Sequence, residues 1–194
     1  ERRRLGLPGE GLILLVCTQL PLDAPVWVDR VVNAVQSAEI DAHIAVKTHW
    51  QFDHEEELVN VFESLGFERW SIHDDELFAL IEGSDVVITG TSTTALEAAI
   101  LKTPIITTQP NDHGFTNPYI RDGLALPGGN QTEMTRALQR ILGPRYRGRW
   151  LEKRESILER YMANIVRPAV DTVAAMIRSV SSNESDSKKA PHDV

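Results

Sequence analysis

A run of small hydroxyl residues followed by a glutamate is the pattern in this chain best suited to chemistry. Gly90 permits a sharp turn or a close backbone approach. Ser92, Thr93 and Thr94 are residue types that cap helix N-termini, where free N–H groups and the helix dipole attract an anion such as a phosphate. Glu97 comes one turn later, where its carboxylate can accept hydrogen bonds from a ribose diol. The pattern therefore indicates a site for a phosphate and a ribose.

The same residues also fit a purely structural role. A single hydroxyl residue is enough to cap a helix, and a glutamate in the first turn favours the helix dipole without any ligand. Three consecutive hydroxyl residues exceed what one cap needs, and this favours a ligand. The spacing by itself leaves both interpretations open.

The segment around this pattern, residues 84–107 with the sequence SDVVITGTSTTALEAAILKTPIIT, also carries a family resemblance. It resembles the C-terminal half of GT-B glycosyltransferases and of the related non-hydrolysing sugar-nucleotide epimerases, and the likeness extends over roughly residues 5–178. The resemblance implies that the turn and the helix start bind the diphosphate of a nucleotide sugar. It also implies that Glu97 holds the ribose hydroxyls.

A second motif, Lys47–Thr48–His49, is similar to the Lys-x-His-Pro motif of capsule and wall-polymer transferases, with Trp50 in place of the proline. The resemblance implies that His49 contacts the leaving phosphate, as a cation or a proton donor. A cap of the following helix and an exposed side chain are the alternatives for His49. For Lys47, at the end of a predicted strand, a solvated side chain is expected.

The resemblance also implies ligand contacts for two further segments. His73 and its neighbours match the segment that presents backbone groups to the nucleobase, and the alternative for His73 is an exposed loop residue. A long loop over 109–123 matches one that faces the donor sugar, so Asp112 or His113 would contact sugar hydroxyls or the leaving phosphate. The alternative for that loop is a cluster of tight turns, since Asn-Asp and Asn-Pro sequences are common turn formers.

Apolar runs alternate with amphipathic segments along the chain, which predicts an α/β fold with a doubly wound parallel sheet, Rossmann-like, and helices on both faces. Ligands bind beyond the carboxyl ends of the strands in such sheets, so the site loops should converge on one crevice. Asp23, Asp74 or Asp75, and Thr132 are predicted as helix caps. The predicted strands are 12–17, 43–47, 68–73, 86–88, 104–108 and 124–126. The predicted helices are 25–38, 53–65, 76–82, one from residue 95, 132–142, and 150–180 with a kink at Pro168.

Composition bounds the class of protein. The 194 residues are 42% hydrophobic and 25% charged, as expected for one globular domain. A formal net charge of −8 argues against a general nucleic-acid binder. Cys17 is the sole cysteine, which fits a reducing, cytoplasmic location, and no apolar run is long enough to span a bilayer. No metal-binding motif is present, since His49 and His54 are poorly spaced and no cysteine pair exists.

The chain lacks an initiator methionine and reaches its first strand directly after a charged stretch, so we expect a piece of a larger enzyme. The predicted organisation is a linker over 1–11 from a missing N-terminal domain, a nucleotide-sugar-binding domain over 12–180, and a disordered tail over 181–194. The missing domain would carry the acceptor site and any membrane attachment.

The resemblance makes a GT-B-type glycosyltransferase the leading interpretation, with a nucleotide sugar as donor and a polysaccharide or glycolipid as acceptor. A metal cofactor is not required there, because helix N-termini and cations can neutralise the leaving diphosphate. A sugar-nucleotide epimerase and a non-catalytic nucleotide- or partner-binding module are the alternatives.

Overall fold

A six-stranded parallel sheet forms the centre of the fold in the computed structural model, with the strand order β3-β2-β1-β4-β5-β6. The structure describes residues 2–19, 24–49, 55–74, 76–108 and 117–162. The chain divides into two compact units, Glu1–Ile157 and Leu158–Val194, and the sheet belongs to the first. The strands are β1 Leu12–Cys17, β2 Ala42–Lys47, β3 Trp70–His73, β4 Val86–Thr89, β5 Ile105–Thr107 and β6 Ala125–Pro127.

The connections between these strands run in two directions from the centre of the sheet, which confirms the doubly wound α/β prediction. Because parallel crossovers are right-handed, opposite directions place α1 and α2 on one face and α3 and α4 on the other. The helices are α1 Ala24–Ser37, α2 Glu55–Ser64, α3 Leu77–Gly83, α4 Thr94–Ile100, α5 Pro118–Arg121, α6 Gln131–Leu142 and α7 Tyr146–Tyr161.

The two central strands show why the predicted elements agree with the structure. All four residues of β4 are buried, and so are five of the six residues of β1. A strand that is buried on both faces has a continuous apolar sequence, so it is easy to recognise. The valines of α1 at positions 28, 31, 32 and 35 recur at helical spacing and are all buried. The predicted strand bounds accordingly differ from those observed by no more than two residues.

Three predictions about helix starts are corrected by the structure. A short helix, α5, lies inside the predicted loop 109–123, since the side chain of Asn117 caps it and Pro118 occupies its first turn. Asn130, rather than Thr132, caps α6 by accepting a hydrogen bond from the Glu133 N–H at 3.0 Å. Asp74 does not cap α3, whose N-cap position is held by Glu76 without a side-chain bond.

The last predicted helix begins earlier than expected, because α7 starts at Tyr146 rather than at residue 150. Some predictions lie outside the described residues: the cap at Asp23, the cap at Asp75, the kink at Pro168 and the tail over 181–194. Within the described ranges, every helix is too short or too polar to cross a bilayer.

Residues 2–11, which the sequence predicts to be a linker, contact the amino ends of the central strands. The Arg2 guanidinium donates to the Gly83 carbonyl at 2.8 Å and forms an ion pair with Asp85 at 2.9 Å. The same Asp85 carboxylate accepts a hydrogen bond from the Ile13 N–H at 2.9 Å. Leu5 and Leu7 are buried. The segment is therefore anchored at the end of the sheet opposite the predicted crevice.

Candidate functional site

The candidate site lies at the carboxyl ends of β1 and β4, where the strand order reverses. These two strands are neighbours, but the chain leaves β1 towards β2 and leaves β4 towards β5. The two diverging connections open a crevice at this point, which is where open α/β sheets bind ligands. Three predicted site segments begin here: the turn after β4, the start of α4, and His49 after the neighbouring β2.

The turn between β4 and α4 is held by its own hydroxyl groups. The Ser92 hydroxyl accepts a hydrogen bond from the Thr94 N–H at 3.2 Å and donates to the Thr94 hydroxyl at 3.1 Å. Thr93 occupies the N-cap position, and its side chain makes no capping bond. The Ala95 N–H donates to the Ser92 carbonyl at 3.1 Å. The structural role of the hydroxyl run is therefore carried by Ser92 and Thr94.

Two backbone donors of this turn remain available for an anion. The sequence predicts phosphate binding by the N–H groups of residues 92–95, and those of Thr94 and Ala95 are already bonded within the turn. The N–H groups of Ser92 and Thr93 donate to no other residue in the described part of the chain. Thr93 is also exposed. The available donors therefore lie in the first half of the predicted range 92–95.

Glu97 is a polar residue of the site whose hydrogen bonding is incomplete. It is half-buried on α4, and its Oε2 atom is buried without a hydrogen-bond partner among the described residues. Leaving a buried carboxylate oxygen unpaired costs free energy, because the oxygen has lost water and gained no donor. The hydroxyl of a ligand could supply that donor.

Charged side chains of two other elements affect the pKa of the Cys17 thiol near the site. Burial raises the pKa of the Cys17 thiol to about 12, the positive charge of Lys47 opposes this rise, and the carboxylate of Glu97 adds to it. Cys17 ends β1, Lys47 ends β2 and Glu97 lies on α4. The charges of Lys47 and Glu97 therefore both act on the thiol at the end of β1, which stays protonated.

Gly90 allows a close approach, as predicted, and the groups that approach it are side chains of this chain. A Cβ atom at this position would collide with the side-chain amide of Gln19 and would lie 2.9 Å from Cη2 of Trp27. Gln19 follows β1 and Trp27 belongs to α1. The sequence places Gln19 at the crevice after the first strand, but it assigns no role there to Gln19 or to Trp27. The signal that could have found them is the glycine that directly follows a buried strand.

Asn117 supports the turn from a distant part of the sequence and was also missed. It is 1% exposed, its side-chain amide donates to the Thr91 hydroxyl at 3.2 Å, and its side-chain oxygen accepts from the Tyr119 N–H at 2.9 Å. One side chain thus caps α5 and holds the turn after β4. The Asn-Pro sequence was read as a turn signal, although it equally well signals a helix start.

His73 is buried at the end of β3, so the alternative that treats it as an exposed loop residue is wrong. Its ring lies 2.7 Å from the Ser71 hydroxyl, which lies 2.8 Å from the ring of His43. The backbone carbonyl of His73 accepts a hydrogen bond from the Thr48 N–H at 3.2 Å. Burial lowers the pKa of His43, and the neighbouring His73 lowers it further. A contact between His73 and a nucleobase stays a prediction.

The Lys47–Thr48–His49 motif ends β2 beside the same crevice. Lys47 is half-buried and its ammonium group donates to the Thr48 carbonyl at 2.9 Å, so the expectation of a solvated lysine is wrong. His49 is half-buried and is not the exposed side chain of the alternative reading. Asp112 and His113 lie outside the described residues. Across the described ranges, no three His, Cys, Asp or Glu side chains are grouped in a way that could hold a metal ion.

Comparison with solved structures shows which known proteins share this fold. No protein-family model matches the chain, and a search of curated protein sequences finds no match. Among solved structures, the wall teichoic acid polymerase TagF superposes with a TM-score of 0.61 at 17% identity, covering 94% of this chain and 46% of TagF. The chain has the fold of the GT-B glycosyltransferases and sugar-nucleotide 2-epimerases.

Two further structures represent both classes. The S. aureus MnaA-UDP complex gives a TM-score of 0.57 at 12% identity over 87% of this chain and 48% of MnaA. A mutant of the Thermobaculum terrenum O-GlcNAc transferase gives 0.59 at 20% identity, over 90% of this chain and 36% of the transferase. The chain therefore spans less than half the length of each of these proteins.

Proposed function

We propose that this chain is the nucleotide-sugar-binding half of a GT-B-type glycosyltransferase that transfers a sugar to a polysaccharide or glycolipid acceptor. The observation that carries the proposal is the buried, unpartnered Oε2 of Glu97, one turn beyond a hydroxyl-rich turn at the strand-order reversal. A ribose diol supplies the donors that this oxygen lacks. A diphosphate bound to the same ribose reaches the two available N–H groups of the turn.

Each candidate residue takes one role in this proposal. Glu97 binds the ribose, and the N–H groups and hydroxyls of the turn after β4 bind the diphosphate. The segment around His73 faces the base, and His49 contacts the leaving phosphate. Gly90 keeps the turn close to the sheet. The turn residues are Ser92, Thr93 and Thr94. In the loop after β5, Asp112 or His113 contacts the donor sugar.

The reaction that fits these roles is glycosyl transfer. An acceptor hydroxyl attacks the anomeric carbon, the bond from that carbon to the phosphate oxygen breaks, and the nucleotide leaves with both electrons of the bond. The turn and His49 stabilise the charge that develops on the phosphate, so no metal cofactor is needed. The base that takes the acceptor proton comes from a further N-terminal domain. We also propose a cytoplasmic location, with any membrane association supplied by other parts of the protein.

A sugar-nucleotide epimerase is the second candidate, because epimerases share this fold and MnaA was solved with UDP. Both candidates use a nucleotide sugar, so they differ in the reaction and not in the ligand. A full-length protein that releases free nucleotide only when an acceptor is present is a transferase. One that interconverts two nucleotide sugars without an acceptor is an epimerase.

An NMR titration of the 194-residue chain tests the proposal. The panel is UDP, CDP, CMP, GDP and ADP, each followed by its sugar conjugate. We expect one base to be preferred, with the largest shifts in the turn after β4 and at Glu97. A partner-binding module without a nucleotide site would show no localised shifts with any nucleotide, and that result would contradict the proposal.

A further inference from the structure

The basic residues of this acidic chain are concentrated in one segment. Residues 136–160 contain eight of the 20 lysines and arginines but only three of the 28 aspartates and glutamates. The segment therefore carries a formal charge of +5 in a chain whose net charge is −8. It covers the second half of α6 and nearly all of α7.

Four of these cations line one cavity at the β6 edge of the sheet. The cavity has a volume of about 650 Å³ and lies between β6, the end of α6 and the first turns of α7. It shares no residue with the candidate site after β4. A volume in this range is typical of small-ligand sites. The cations are Arg140, Arg145, Arg149 and Lys153.

Two aromatic residues line the cavity, the buried Trp150 and the half-buried Tyr146. The indole N–H of Trp150 donates to the Leu124 carbonyl at 2.8 Å, which ties α7 to the start of β6. The guanidinium of Arg140 lies 5.8 Å from the centre of the Tyr146 ring. Burial raises the pKa of Tyr146 to about 12, against the opposing charge of Arg140, so its hydroxyl keeps its proton. The cavity therefore offers a neutral hydrogen-bond donor beside its cations.

The positive charge in the cavity is not compensated by the described protein residues. Asp122 is the one acidic residue of the lining, and its carboxylate is bonded to Arg121 at 2.8 Å. Within the described ranges, none of Arg145, Arg149 and Lys153 forms an ion pair. Arg149 and Lys153 are four residues apart on one helix, where like charges repel. An anion in the cavity would offset this repulsion.

We propose that this cavity binds the phosphate group of a phosphate monoester or diester. Guanidinium groups bind phosphate through paired hydrogen bonds, and a lysine adds a point charge. Three guanidinium groups and one ammonium group surround a space large enough for a phosphate and its substituent. The ligand is either a soluble phosphate ester or the headgroup of an anionic lipid, because both present the same group.

The experiment compares two double variants of the 194-residue chain. R149A/K153A removes two cations of the cavity, and R136A/R147A removes two exposed arginines of the same segment that do not line it. The probes are pyrophosphate, followed by NMR at residues 140–153 and at the Trp150 indole, and phosphatidylglycerol vesicles, followed by co-sedimentation. Phosphatidylcholine vesicles are the control.

We expect the wild-type chain to bind at least one probe through residues 140–153. R149A/K153A should weaken that binding about tenfold or more, and R136A/R147A should change it less than about twofold. Localised shifts with pyrophosphate indicate a site for a soluble phosphate compound, and sedimentation with phosphatidylglycerol alone indicates a site for a lipid headgroup. Equal losses in both variants would show diffuse charge attraction, and binding of neither probe would show no phosphate site; either result overturns the proposal.

This test is independent of the proposed nucleotide site. Pyrophosphate bound at the turn after β4 shifts residues 90–97 and leaves residues 140–153 unchanged. R149A/K153A should bind nucleotides like the wild-type chain, since it alters no residue at that turn. Failure of one site therefore leaves the other unaffected.

Discussion

At the scale of single residues, the site depends on one close approach that the backbone of Gly90 makes possible. Replacing Gly90 with alanine should destabilise the protein by about 1–3 kcal/mol, because the new Cβ collides with Gln19 and crowds Trp27. Urea unfolding measures this loss. In G90A/Q19A the nearer collision is gone, so part of the stability should return. A G90A variant as stable as the wild type would show that the packing around the turn is loose.

His43 gives the fold a pH dependence that can be isolated. Because burial and His73 lower its pKa, the unfolded chain takes up the proton more readily than the folded protein. Stability should therefore fall as the pH drops below the ordinary histidine pKa of about 6.5. His43→Gln should reduce this fall when urea unfolding is compared between about pH 5 and pH 8. Identical pH profiles for the variant and the wild type would refute the assignment to His43.

At the scale of elements, a comparison of two asparagine caps can distinguish an effect on stability from an effect on ligand binding. Asn117→Ala removes the cap of α5 and the bond to Thr91, whereas Asn130→Ala removes only the cap of α6. Each should cost roughly 1 kcal/mol or more of stability in urea unfolding. Only Asn117→Ala should also weaken nucleotide binding, because only it loosens the turn after β4. Equal effects of both variants on binding would mean that the bond to Thr91 does not position that turn.

The helices and strands were predictable where their burial requires a regular pattern of apolar residues in the sequence. β1 and β4 are buried on both faces and read as unbroken apolar runs, and α1 shows its buried valines at helical spacing. α5 was missed because four residues are too few to show a period, and its cap also fits a turn. Contacts between distant segments, such as Asn117 with Thr91 or Gln19 with Gly90, leave no local pattern. The turn residues and Glu97 could be proposed as site residues from their types, whereas the bonding state of each N–H group required the structure.

At the scale of the whole molecule, we expect that sugar transfer does not depend on a metal ion. In the proposed mechanism, the turn after β4 and His49 stabilise the leaving phosphate without one. Sugar transfer should therefore change less than about twofold when EDTA is added, because fixed donors and cations supply the stabilisation. Loss of activity in EDTA that magnesium or manganese restores would contradict this part of the mechanism.

The central claim is that Glu97 binds the ribose of a nucleotide. The most direct test is calorimetric titration of the preferred nucleotide into the wild-type chain, Glu97→Ala, and the control Glu63→Ala, which removes an exposed carboxylate from α2. We expect Glu97→Ala to keep its fold and lose about 1–3 kcal/mol of binding free energy, the range for a hydrogen bond to a charged group. Glu63→Ala should bind like the wild type. Unchanged affinity in a folded Glu97→Ala variant would contradict the account.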